Sequence, residues 1–183
     1  MNDLFKSFKT TQDKVFFGFK VSALVLCLIC FSCQFWPNIT VSGTSVKGVS
    51  FLDGFVPGYL VVYGGSYGSV SLLGNFSFNT GAFIGYFSFL IAIVLICLSI
   101  FDFKFKKENM KKLFLILALF FILLGTVLLF CSVPLFVSAN ALEWGKYKST
   151  LLLSYGPIVG GTFGIVSFIL LSLIFFIPFA KKH

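Results

Sequence analysis

From Gly81 to Phe101 the chain runs without a single charged residue. As a helix such a run is about 30 Å long, the thickness of a bilayer's hydrocarbon core. Three further runs are similarly apolar: Val15 to Trp36, whose one charge is Lys20, and the uncharged Leu113 to Ser138 and Tyr155 to Ala180. In lipid a segment must satisfy its own backbone amides, so each run is expected to be a helix. The chain is 58% hydrophobic and 11% charged. Soluble domains carry about 25% charged residues, so lipid has to cover what charge cannot. The fold class is an all-α membrane bundle of four transmembrane helices, forming a single polytopic domain over residues 1–183.

Orientation follows from the lysines. Residues 102–112 form the one dense charge cluster between two apolar runs and carry Lys104, Lys106, Lys107, Lys111 and Lys112. Translocating such a cluster is unfavourable, so this loop is expected to stay cytoplasmic and to determine the topology. Lys6, Lys9, Lys14, Lys20, Lys181 and Lys182 then fall on the same side, and only Lys47, Lys146 and Lys148 on the other. Both termini are expected in the cytoplasm, with the protein integral to the plasma membrane. The net charge of +8 sits at span ends, where anionic headgroups attract it; no nucleic-acid partner is implied. Lys20, near the start of the first span, is expected to snorkel to the inner headgroups. An apolar run after a basic start also suits a cleaved signal, and Ile29 to Cys33 faintly suggests a lipoprotein site. The three spans that follow make an uncleaved first span the favoured reading.

Residues 37–80 form the long outer loop, with eight glycines and one residue of each charge, Lys47 and Asp53. Ile39-Thr40-Val41-Ser42 alternates apolar and polar, the period of a half-buried strand. Gly58 to Tyr63, a glycine turn at Gly64 to Gly68, and Ser69 to Leu73 read as a β-hairpin; Ser45 to Leu52 is a further candidate strand. The expectation is a small extracellular antiparallel β-sheet formed by this first outer loop, standing on the helix ends. Tyr59, Tyr63 and Tyr67 are its candidate interaction residues. Asn38-Ile39-Thr40 and Asn75-Phe76-Ser77 match the N-glycosylation acceptor pattern. The second outer loop, 139–154, carries Trp144 and Tyr147, side chains suited to the headgroup region.

Gly156, Gly160 and Gly164 recur every four residues, on one helix face. Bare backbone there lets another helix approach closely. Gly81 and Gly85 offer a similar face on the second span. These five glycines are the candidate helix-packing residues, predicting that the second and fourth spans cross closely or present these faces to another copy. Pro134, near the end of the third span, is expected to kink it.

Catalytic chemistry is not indicated. No acid lies within a predicted span, and the sole histidine is His183 at the tail. Nucleophile-elbow, zinc-protease and phosphate-loop patterns are missing from the chain. Cys27, Cys30 and Cys33 have tempting spacing, but a helix fans them over an arc rather than converging them on a metal. Small apolar packing is the expected use. No enzyme activity, cofactor or metal is expected.

The order of long outer loop, short inner loop and short outer loop resembles the layout of claudins and related tetraspan proteins. The W-GLW-C-C pattern of the claudin outer loop is missing, since residues 37–80 hold no cysteine. The resemblance is one of layout. The expected partners are the bilayer and either a membrane protein or further copies of the chain. The expected role is association through the outer β-rich loop; the alternative is a small transporter or channel component.

Overall fold

The computed structural model describes residues 11–41, 45–46, 49–50, 54–57, 61, 65–66, 75–100, 108–141 and 151–176. Four long helices dominate it: α1 (Thr11–Ser32), α2 (Thr80–Ile100), α3 (Glu108–Phe130) and, after a short α4 (Ser132–Ala139), α5 (Tyr155–Phe176). At 21 to 23 residues each, the long helices measure about 31 to 35 Å. All four are apolar and long enough to cross a membrane.

The helices pack as a ring in which α1 touches α2, α2 touches α3, α3 touches α5, and α5 closes on α1. That leaves α1 opposite α3 and α2 opposite α5. The inward stripes explain the pairing. α1 turns Ala23, Cys27 and Cys30 inward, and α5 turns Gly156, Gly160, Gly164 and Ser167 inward. Small side chains on both sides let this seam close tightly. Across the ring, α2 and α3 bury the bulkier Phe89, Ile96, Leu115 and Ile122. Large outward residues, including Val94, Ile116, Phe120 and Ile169, remain exposed, as lipid-facing positions require.

The third apolar run is not one helix. α3 begins at Glu108, inside the lysine-rich loop, and the chain breaks at Cys131 before α4. Pro134 explains the break, because it has no amide to give the Phe130 carbonyl. Hydrogen bonds resume on either side, from Cys131 N to Val127 O at 3.0 Å and from Leu135 N to Cys131 O at 3.0 Å.

At one end of the bundle lies an antiparallel sheet of three strands ordered β4-β1-β7, where β1 is Pro37–Val41, β4 is Gly54–Pro57 and β7 is Leu151–Leu153. This corrects the expectation that the first loop alone builds the sheet, since β7 comes from the second. Ile39 pairs with Val56 on one side and Leu153 on the other. As the central strand, β1 is covered more fully than an alternating strand would be: Asn38 and Ile39 are both buried. Two further ladders are short. β2 (Ser45–Val46) pairs with β3 (Val49–Ser50), where one strand over 45–52 was expected, and β5 (Gly65–Ser66) pairs with β6 (Asn75–Phe76). β5 occupies the expected glycine turn, so the pairing lies further along the chain than the pattern suggested. Glycine-rich strands specify register weakly, because they lack an apolar face to anchor it. Apart from Val61 and β5, the expected hairpin, with Tyr59, Tyr63 and Tyr67, lies outside the described residues.

Candidate functional site

The polar groups of the bundle gather where the helices meet the sheet. β1 follows directly on the 3-10 turn Cys33–Phe35 that ends the first span. The chain therefore turns over the bundle mouth, and Asn38 points down into it. Its amide lies against the Tyr86 hydroxyl, with Nδ2 to oxygen at 2.7 Å and hydroxyl to Oδ1 at 2.9 Å, both residues buried. Its backbone carbonyl accepts the Ser154 amide at 3.0 Å. One residue thus ties the end of the first span to α2 and to the start of α5.

Two more asparagines hold the neighbouring turns. Asn79 caps α2: its Oδ1 accepts the Ala82 amide at 3.1 Å, filling one of the helix's orphan donors. Asn140, after α4, accepts the Ser77 amide at 2.7 Å and donates to the Phe136 carbonyl at 3.1 Å. Buried polar groups are costly unless bonded, so these contacts hold the mouth in one arrangement. Asn38 heads one of the two acceptor sequons, and its burial leaves a glycan no room in the folded chain.

Below this layer the glycines set the helix spacing. A Cβ on Gly156 would meet the Pro37 carbonyl at 2.7 Å, and one on Gly160 would meet Leu129 at 2.9 Å and the Cys33 side chain at 3.4 Å. Gly164 faces Thr126 of α3. Gly81 lies under Leu135 of α4, and Gly85 under Leu128 of α3. The two glycine faces therefore do not meet. α2 and α5 are opposite one another, and each face receives its ring neighbours. The link between the opposite helices is Phe89. Its ring comes within 2.7 Å of a Cβ placed on Gly125 and 3.4 Å of one placed on Gly164, filling the axis roughly 13 Å below the sheet end.

Periodicity and spacing in the sequence do not single out Gly125 or Phe89. A signal existed for the glycine: Gly125 is the lone glycine in the long run from Leu113 to Ser138. Nothing local marks Phe89 among 27 phenylalanines.

The cysteines turn toward α5. The Cys30 thiol donates to the Gly160 carbonyl at 3.1 Å, Cys33 packs on Gly160, and Cys27 lies beside Ser167. Among the described residues no group of His, Cys, Asp or Glu is placed to hold a metal ion. At the opposite end Lys20 Nζ donates to the Ser99 carbonyl at 3.4 Å, in the last turn of α2. Rather than only reaching for headgroups, this ammonium sits at the negative end of a neighbouring helix. Lys111 and Lys112 occupy the first turns of α3, whereas Lys104, Lys106 and Lys107 lie outside the described residues.

Among the described residues, four apolar helices of membrane-spanning length around a packed core fit one class, the multi-pass integral membrane protein. Comparison with family models, with curated protein sequences and with solved structures finds no match for this chain.

Proposed function

We propose that the protein is an association module of the plasma membrane, with both termini cytoplasmic and the sheet-bearing end outside, where it meets a membrane-protein partner or another copy. The observation that carries this reading is the filled axis. Phe89 lies on Gly125 and reaches Gly164, while Ala92, Ile96, Ala118, Ile122 and Leu171 close the levels toward the lysine end. A packed interior favours a scaffold over a path for solutes, because transport sites are polar cavities near the midplane. The bonded mouth favours presentation. It holds the sheet on the helix ends through polar groups that mostly bond one another, Asn79 Nδ2 and Ser154 Oγ being the buried exceptions. The Tyr59, Tyr63 and Tyr67 side chains are the proposed contacts, since tyrosine suits interfaces that are part apolar and part polar.

The test uses the full chain, tagged, purified from its native membrane in mild detergent, and compared with the Tyr59→Ser/Tyr63→Ser/Tyr67→Ser variant. A companion retained by the wild-type chain and lost from the variant supports the reading. A monomer with no companion, which conducts ions or moves solute when reconstituted in vesicles, overturns it and leaves the transporter reading in place.

A further inference from the structure

The sheet is sunk to the level of the helix ends. A Cβ on Gly156, in the first turn of α5, would meet the Pro37 carbonyl and Asn38 Oδ1, each at 2.7 Å. β1 therefore starts beside α5 rather than above it. Ile39 pairs with Leu153, so β7 lies at the same height. None of the residues in β1, β4 and β7 is charged. A bilayer's headgroup layer, about 5 to 8 Å deep on each side, begins where the hydrocarbon-length helices end.

Five large side chains face outward at this level. Phe35 and Trp36 close the first span, Phe78 precedes α2, Leu152 is in β7, and Tyr155 opens α5. The Phe78 ring packs on Phe83, and Phe83 on Phe87, with centroids 5.5 Å apart in both pairs. Phe87 is exposed two turns into α2, so the collar runs without a break into the lipid-facing surface. We propose that this collar is seated in the headgroup layer, which places the three-stranded sheet among lipid glycerol and carbonyl groups instead of in water. Tryptophan and tyrosine suit that layer because each has an apolar body and a polar tip. In water the same collar would be a large exposed apolar patch. One protein partner does not fit it. α2 and α5 stand on opposite sides of the ring, so a partner covering one side leaves the other bare, whereas lipid surrounds both.

The experiment reads tryptophan depth in the full chain, reconstituted in phosphatidylcholine vesicles. The chain has two tryptophans, so Trp144→Phe leaves Trp36 as the sole probe. Trp36→Phe/Trp144→Phe/Leu152→Trp moves the probe onto the sheet at an exposed position, and Phe78→Trp in place of Leu152→Trp moves it beside α2. The quenchers are phosphatidylcholine brominated near the top of its acyl chains, the same lipid brominated near their ends, and iodide on both sides of the membrane. All three probes should lose more emission to the shallow bromine than to the deep one, and less to iodide than a free tryptophan analogue does. A Leu152→Trp probe that iodide quenches fully and neither lipid reaches puts the sheet in water and overturns the proposal. So does a probe that neither lipid nor iodide reaches, which means that protein covers the collar. If the Leu152→Trp chain does not fold, Trp36 and the Phe78→Trp probe decide by the same criteria. None of these readings depends on the partner proposed for the outer loop, or on which side of the membrane the sheet faces.

Discussion

The Asn38 carboxamide and the Tyr86 hydroxyl meet at 2.7 and 2.9 Å inside the bundle mouth, 48 residues apart in sequence. The pair joins the loop that leaves the first span to the second turn of α2. Removing one partner leaves the other buried and unbonded, which costs about 1 to 3 kcal/mol. Tyr86→Phe and Asn38→Ala should each lower the stability of the purified protein by that amount. The double variant should cost less than the sum, because the second change removes a group already orphaned. Unfolding titrations in mixed micelles measure all three.

Glycines with similar surroundings in the sequence should behave differently. A Cβ on Gly125 would meet the Gly85 carbonyl at 2.9 Å, a backbone atom that can move only with its helix. A Cβ on Gly161 would instead meet the Phe130 ring, the far end of a flexible and exposed side chain. Gly125→Ala should therefore destabilise by about 1 to 3 kcal/mol. Gly161→Ala should be neutral or gain up to about 1 kcal/mol from helix propensity. Thermal melting of the two variants side by side, in one detergent, separates them. Gly160→Leu, which would press on both Leu129 and Cys33, should be the most damaging of the series.

Lys20 offers a test of the opposite end. Its ammonium donates to the Ser99 carbonyl at 3.4 Å, where the α2 dipole is negative. Lys20→Met keeps the stem but removes the charge. It should cost about 0.3 to 1 kcal/mol, the usual worth of a cation at a helix terminus. An unchanged melting temperature would mean that the ammonium spends its time among headgroups instead.

Sidedness is tested by labelling. In intact cells Val70→Cys should react with an impermeant thiol reagent from outside, and Lys107→Cys only after permeabilisation. The native cysteines have little part in the signal: Cys27, Cys30 and Cys33 are fully buried, and the partly exposed Cys97 and Cys131 lie within apolar runs where a water-soluble reagent does not reach. The reverse pattern would invert every surface assigned to the outside.

Much of the frame is legible before any coordinates. Four spans follow from long apolar runs, of which only the first holds a charge, Lys20 near its start, and the break in the third follows from Pro134. The glycines at 81, 85, 156, 160 and 164 were identifiable as close-approach positions by spacing alone. Their partners were not. Spacing says that a face is small, but the ring order says that α3 and α1, rather than α2, fill the α5 groove. The sheet shows the same limit. The strand character of Ile39 to Val41 is local, whereas its pairing with Leu151–Leu153 joins loops more than a hundred residues apart, and no pattern within either loop encodes the other.

By itself, then, the sequence determined the solvent of each segment, since burying charge in hydrocarbon is too costly for the spans to be drawn elsewhere. Tertiary structure alone decided which helices are neighbours, that Phe89 closes the axis, and that Asn38 faces Tyr86 instead of water. Those choices depend on shape complementarity between surfaces distant in the chain, where many apolar residues are interchangeable to a hydropathy pattern but not to the space they must fill.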